Sequence, residues 1–453
     1  VHVLRRGQVF VEKDYLCVGP HCKTPCHEEC PVSALSIRRN PDFDALGDYR
    51  WTADNLLSTW YMAETASVPP EGLEYRTGAS GGGFDKLRLI MPLDTDDAGG
   101  NPSFQDAIDV GVELNRRADQ AHRIKIRVPF YGGGMSYGSI SITTMLSRMK
   151  AAKAVGTFCC TGEGGYPDEL KPYSDHVITQ VATGLFGVSE ETIKRVRIVE
   201  FKYAQGAKPG LGGHLLGDKV TPGVARMREA VVGFPLFSPF PFHSVYSVED
   251  HKKHVDWIKA INPQALVSVK VSTPTDVDMV AVGSYYAGAH IIHLDGSYGG
   301  TGAAPDIAKK NIAMPIEYAV PKVHRFLKEE GVRDKMTVIA GGGVRTPHDV
   351  AKIIALGADG VCTGTADLVA LECIRCHNCE SGRGCARGIA TTDPELMELI
   401  DLEWGTQRVV NLYLAWRKEI MRILKRLGMA SLKELVGRTD CLAHLDYMGN
   451  SGS

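Results

Sequence analysis

From residue 124 onward the chain repeats a strand, a loop and a helix, and no other feature limits the fold as much. Short β-branched runs recur at 124–128, 156–160, 196–203, 267–271, 290–295, 337–340 and 360–363. Helical stretches separate most of them. Strands alternating with helices predict a parallel sheet. Polar and glycine residues follow most of the strands, as the active face of a (β/α)8 barrel requires. The expected fold class is therefore α/β, a TIM barrel. Only seven strands are evident, and the eighth is sought near Met314. The 453 residues leave room for one barrel of about 250 residues plus appendages. The expected divisions are a cysteine-rich segment at 1–45, a pre-barrel region at 46–122, and the barrel with its tail at 123–453. Ser80-Gly-Gly-Gly83 reads as a loop.

Two late strands end in glycine. Val338-Ile-Ala-Gly-Gly-Gly-Val344 runs into three of them, and Val361-Cys-Thr-Gly-Thr365 is the next strand and turn. Glycine lets backbone N–H groups approach phosphate oxygens without a side-chain clash. Barrels commonly bind phosphate after strands seven and eight. Gly342, Gly343, Gly364 and Thr365 are the candidate contacts. Glycine turns also occur without a ligand; their pairing on consecutive strands favours phosphate.

Twelve cysteines are present, ten of them clustered. Cys373, Cys376, Cys379 and Cys385 form one loop; Cys17, Cys22, Cys26 and Cys30 form an N-terminal head; Cys159 and Cys160 are adjacent. Thiols so close together in a long chain suit a metal better than a disulfide framework. Thiolates bind zinc or iron–sulfur, and spacing alone does not separate the two. A 3Fe–4S cluster would use three of the loop thiols and a 4Fe–4S cluster all four. Cys26-His-Glu-Glu-Cys30-Pro-Val-Ser-Ala34 resembles half of a bacterial ferredoxin, with its usual gaps expanded. A cluster beside a barrel phosphate site suggests a flavin that receives electrons singly.

Net charge −2 gives no electrostatic case for nucleic acid or an anionic membrane. No run of about 18 apolar residues predicts a membrane span, and no signal peptide is evident. A cytoplasmic location is expected. The tail from Thr406 to Leu427 has helical spacing, with Val410, Tyr413, Ile420 and Leu424 on one stripe and Gly428 as its C-cap. Ser431 and Glu434 predict a capping box on a second, short helix.

The motifs in order resemble the synthase domain of glutamate synthase, from Pro129 to Leu442. Gly134-Met-Ser-Tyr-Gly-Ser-Ile-Ser141 is similar to the family's first barrel loop and Thr161-Gly-Glu-Gly-Gly165 to its second. Ala204-Gln-Gly-Ala-Lys-Pro-Gly210 is the most distinctive string. Val267-Ser-Val-Lys270, Gly299-Gly-Thr-Gly302 and Gly388-Ile-Ala-Thr391 follow in family order. The resemblance implies an FMN-binding barrel that reduces 2-iminoglutarate, made from 2-oxoglutarate and ammonia, to glutamate. Met135 and Ser136, Gln205 and Lys270 would contact FMN. Lys208 and Arg228 would bind substrate carboxylates, with Glu163 nearby, and two fixed cations do suit a dicarboxylate. Leu211 and His214 stand where the family has Glu and Gln.

The chain does not begin with the nucleophilic Cys of a glutaminase domain, and no dinucleotide fingerprint opens a βαβ unit. Ammonia is therefore expected from solution or a glutaminase subunit. Electrons are expected from a ferredoxin or an NAD(P)H-oxidising flavoprotein subunit, relayed by the clusters. The alternatives are an electron-transfer subunit of a larger flavoprotein complex that makes no glutamate, and a synthase of N-substituted glutamates.

Overall fold

Eight parallel strands close into a barrel in a computed structural model, which describes residues 2–17, 22, 24–38, 41–70, 83–92, 108–239, 242–301, 304, 307–309, 311–380 and 383–447. They are β1 (Phe130–Gly132), β2 (Cys159–Cys160), β3 (Val177–Val181), β4 (Ile198–Lys202), β5 (Leu266–Val271), β6 (Ile291–Asp295), β7 (Thr337–Gly341) and β8 (Gly360–Thr363). Closure is made by β8 against β1, with Val361 opposite Phe130 and Thr363 opposite Gly132. Strands β3, β5, β6 and β7 are buried at every position. Helices cover a barrel from outside and side chains fill it from inside, so such strands read as continuous β-branched runs.

Two strand expectations are corrected. The eighth strand is Val177–Val181, not a segment near Met314. Its connection from β2 is a nine-residue 3-10 run, Asp168–His176, with Pro172 inside it, so no helical periodicity announces the strand. Met314 instead lies in a loop, its N–H donating to the Thr273 carbonyl. At 124–128, Lys125–Ile126 pairs antiparallel with Val112–Glu113, and the first barrel strand begins only at Phe130. The Glu113 carbonyl accepts from Thr337 Oγ1 at the start of β7, which places that small ladder at the bottom of the barrel. Residues 80–82 lie outside the described residues.

The barrel interior is not wholly apolar. Glu200 on β4 accepts from Gln180 Nε2 on β3 at 2.7 Å and from Ser268 Oγ on β5 at 3.0 Å, and meets His293 Nδ1 on β6 at 3.0 Å. Burial alone would raise this carboxyl, but His293, Lys270 and Gln180 outweigh it and hold the pKa down to about 2. A buried charge survives only when it is paired and hydrogen-bonded in this way.

The tail helix runs Leu402–Arg426, capped at its start by the Asp401 carboxylate on the Trp404 N–H. It packs on the helices Ile142–Val155 and Ala53–Thr65. Gly405 permits that approach: a Cβ there would stand 2.6 Å from Ser147 Oγ. Tyr413 and Trp416 on its inner face meet Phe130 of β1 edge-on at 4.9 and 5.7 Å. The expected capping box is absent. Ser431 Oγ donates to Glu434 Oε1 and caps no backbone N–H of the helix Leu432–Leu435. The head is a hairpin, His2–Arg5 with Gln8–Val11, followed by a 3-10 turn at Asp14–Leu16. No helix of the protein is long and apolar enough to cross a membrane, among the described residues.

Candidate functional site

The C-terminal ends of the strands surround a cavity of about 290 Å³. Glycines from several strand ends contribute to its rim. Gly342 and Gly343 after β7 have φ of +92° and +97°, which side chains rarely tolerate. A Cβ on Gly342 would lie 2.5 Å from the Gly296 carbonyl oxygen. After β1, the Gly133 N–H donates to the Thr363 carbonyl at 2.6 Å, and the Gly133 carbonyl accepts from Arg148 Nη2 at 2.7 Å. Arg148 is itself paired, fully buried, with Asp367 at 3.0 Å. The β1 turn and the β8 turn are thus fastened to each other from below.

Fixed cations line the cavity. Six Lys and Arg residues face three Asp and Glu, so the lining favours anionic ligands. Lys270 pairs with Asp295 at 3.3 Å. Burial opposes its charge, but Asp295, Cys362 and Glu200 outweigh burial and raise its pKa. Glu163 in the β2 turn pairs with Lys202 at the end of β4, 3.2 Å away. Burial acts against that carboxylate, and Lys202, Lys208 and Arg228 keep it ionised. Lys208 Nζ donates to the Gly212 carbonyl at 3.2 Å. Burial first, then the neighbouring Lys202, push its ammonium pKa down to about 8.

Four thiols close one side of the cavity: Cys373, Cys376, Cys379 and Cys385. The loop bends sharply, with Glu372, Arg375 and His377 all at positive φ. Asp48 from the pre-barrel segment accepts from Arg375 Nε at 3.0 Å and meets His377 Nε2 at 3.2 Å. Lys219, almost fully buried, donates to the Cys379 carbonyl at 2.6 Å and pairs with Glu380 at 3.4 Å. Among the described residues no three His, Cys, Asp or Glu side chains are grouped as a single-ion site.

The head thiols stand apart from the cavity. Cys22 is exposed, while Cys17, Cys26 and Cys30 are half-buried. The Cys30 thiol is lowered in pKa by the Val32 and Ala34 amides, and the Ala34 N–H donates to its sulfur at 3.3 Å. A tie through Arg408 joins head and loop. Arg408 on the tail helix contacts Tyr15 Oη at 3.4 Å, Glu64 at 2.8 Å and Glu372, next to Cys373, at 3.7 Å.

Met135, Ser136, Glu163, Gln205, Lys208, Lys270, Gly342, Gly343, Gly364 and Thr365 all line the cavity with the loop thiols. Arg228 does not. It is buried behind the wall, where Nη2 donates to Ser136 Oγ and to the Tyr137 carbonyl, both at 2.9 Å. His214 lines the cavity and stacks on Phe237 at 4.7 Å between ring centroids, whereas Leu211 is exposed. Sequence reasoning missed Lys202, Lys219, Asp48 and Glu380. Lys202 carried a signal, because a lysine at the C-terminal end of a barrel strand is placed for function. Asp48 carried none, since its partners on the thiol loop are more than 300 residues away.

The conserved region in glutamate synthase matches residues 103–430. The archaeal-type glutamate synthase (NADPH) of Thermotoga maritima is 39% identical over 441 residues, covering 94% of this chain and 86% of that one. The archaeal glutamate synthase (NADPH) of Methanocaldococcus jannaschii is 45% identical over 323 residues, 71% of this chain and 63% of that one. Among solved structures, an L230A mutant of flavocytochrome b2 with benzoylformate superposes with a TM-score of 0.50 at 15% identity, over 87% of this chain and 81% of that one, a likeness of fold. With the family's motifs gathered on one barrel mouth and relatives this similar along nearly its whole length, the chain belongs to the glutamate synthase family.

Proposed function

We propose that the chain reduces 2-iminoglutarate, formed from 2-oxoglutarate and ammonia, to glutamate on FMN, with electrons arriving through iron–sulfur clusters. One observation carries the reading: a single cavity collects the glycine turns of β7 and β8, the charged set Glu163, Lys202 and Lys208, and four thiols. The lining fits FMN, since a cradle where Cβ atoms would clash admits a phosphate, with Lys270 and Gln205 beside it. It fits a cluster as well, because cysteine thiolates are the ligands such clusters take, while the amide-stabilised Cys30 suits a metal-bound thiolate in the head. Bound there, the flavin would supply hydride to the imine carbon, and the clusters its electrons.

The protein's own part is to hold and orient the substrate. Lys208 meets one carboxylate of the substrate. Lys202 neutralises Glu163, which faces the amino nitrogen as hydrogen-bond acceptor. Arg228 is a positioning residue that fixes Ser136 and the β1 turn. Electron transfer without synthesis would leave Lys202, Lys208 and Glu163 lining the cavity with nothing to bind. The donor is a ferredoxin or an NAD(P)H-oxidising subunit, and ammonia comes from solution or a glutaminase.

The anaerobically purified protein should release about one FMN per chain on denaturation. It should contain iron and acid-labile sulfide, and after reduction by dithionite it should form glutamate from 2-oxoglutarate and ammonium. FAD as the sole flavin, stoichiometric zinc without sulfide, or no amino acid from either ammonium or methylamine would overturn the reading. An N-methylated product from methylamine alone would point to the N-substituted synthase.

A pH dependence follows from Lys208. Its pKa of about 8 means that the free site loses this positive charge as pH rises through that value. The dissociation constant for 2-oxoglutarate, followed through the flavin spectrum without ammonia, should be flat below pH 8. Above it, the constant should rise about tenfold per pH unit. In Lys208→Gln the rise should vanish.

A further inference from the structure

A second cavity, about 380 Å³, opens at the opposite end of the barrel. It lies between the end of the helix Ile316–Glu329, the turn that follows, and the short tail helix Leu432–Leu435. Its floor is ionic. Asp359, immediately before β8, is held between Arg116 Nη1 at 2.8 Å and Arg333 Nη2 at 3.0 Å, so its charge is spent within the wall. Lys328 and Lys433 stand exposed on the rim. Neither is ion-paired among the described residues.

His324 supplies an independent indication. Its Nδ1 accepts from Arg333 Nε at 2.9 Å, and a guanidinium can only donate. Nδ1 also lies 3.1 Å from the Gly357 carbonyl, which takes Arg333 Nη2 at 2.8 Å, but a ring nitrogen that accepts from Arg333 Nε has no proton to give it. Burial first, then Arg333 and Lys328, hold the ring's pKa down at about 4, so the imidazole is neutral at physiological pH. Its remaining proton must then sit on Nε2. That atom is buried with no hydrogen-bond partner, in a residue only 9% exposed that lines the cavity. A buried donor left unpaired is costly, and an acceptor from outside would relieve it.

We propose that this cavity is a binding site for a small oxyanion, a phosphate or carboxylate group seated between Lys328 and Lys433 that accepts from His324 Nε2. The ligand would bridge the barrel to the tail helix Leu432–Leu435, far from the thiol-lined mouth. The volume is within the range of small-ligand pockets. The Asp359 carboxylate is neutralised twice, and the exposed Asp334, the other acidic side chain of the lining, stands against the two rim lysines.

The test is thermal unfolding of the holoenzyme with inorganic phosphate, pyrophosphate or citrate, against sodium chloride at matched ionic strength. A ligand that binds only the folded state raises the transition temperature saturably. At least one of the three anions should do so, and the series separates phosphate from carboxylate recognition. In the double variant Lys328→Gln/Lys433→Gln the half-saturating concentration should rise at least about tenfold, the scale expected for losing charge-assisted contacts. Its unliganded glutamate synthesis should be unchanged. The proposal is overturned if no anion exceeds the chloride control. It is equally overturned if the double variant saturates at the wild-type concentration, which would assign the effect to the cationic mouth. Neither outcome depends on which reaction the flavin site performs.

Discussion

Lys208→Ala should lower kcat/KM for 2-oxoglutarate by about 30- to 4,000-fold while FMN stays bound. Removing one partner of a buried charge-assisted contact to a ligand costs about 2–5 kcal/mol, and each 1.4 kcal/mol is about tenfold. The upper part of that range applies here, because Lys208 is only 4% exposed and water cannot replace it easily. The loss also leaves Glu163 with less opposing charge, since Lys202, Lys208 and Arg228 together keep it ionised. The check is steady-state kinetics with dithionite as reductant, with flavin content measured on the same preparation. Activity within threefold of wild type would remove Lys208 from the substrate site.

Asp367→Ala should destabilise the fold by about 3–5 kcal/mol, the usual result of stranding one member of a buried ion pair. Arg148 and Asp367 are 1% and 0% exposed, and Asp367 Oδ1 also accepts from Tyr413 Oη at 3.0 Å. Truncation therefore leaves a guanidinium and a phenol facing a void. Urea unfolding followed by tryptophan fluorescence reads the loss. Replacing both members, as Arg148→Met/Asp367→Leu, should recover most of the stability. Flavin should nonetheless bind less tightly in the double variant, because Arg148 Nη2 no longer holds the Gly133 carbonyl at the cavity floor.

What the sequence disclosed divides along physical lines. Gly342 and Gly343 were legible because a backbone that needs positive φ tolerates few other residues. The loop thiols were legible because cysteine chemistry concentrates them. Strand β3 was missed because the preceding connection is a 3-10 run, and barrel strands are inferred mainly from the helices between them. Arg228 misled for a different reason. A motif reports that a cation is required near the β1 turn, but not whether it faces the ligand or the back of Ser136. Lys219 and Asp48 were beyond reach, since each acts on the thiol loop across a long stretch of chain and resembles an ordinary surface charge in sequence.

Lys208 and Lys219 stand at the two ends of one short stretch, and Glu380 acts on both, by direct pairing with Lys219 and through its field on Lys208. The segment proposed to hold the substrate is thereby anchored to the carbonyl of Cys379. Substrate occupancy and the redox state of whatever the thiols carry then belong to a single thermodynamic cycle. Linked binding equilibria are reciprocal. By whatever factor reduction of that group tightens the hold on 2-oxoglutarate, 2-oxoglutarate must favour reduction equally. Were that coupling favourable, electrons would enter more readily with substrate bound than without it, a control exerted by equilibrium rather than by a moving gate.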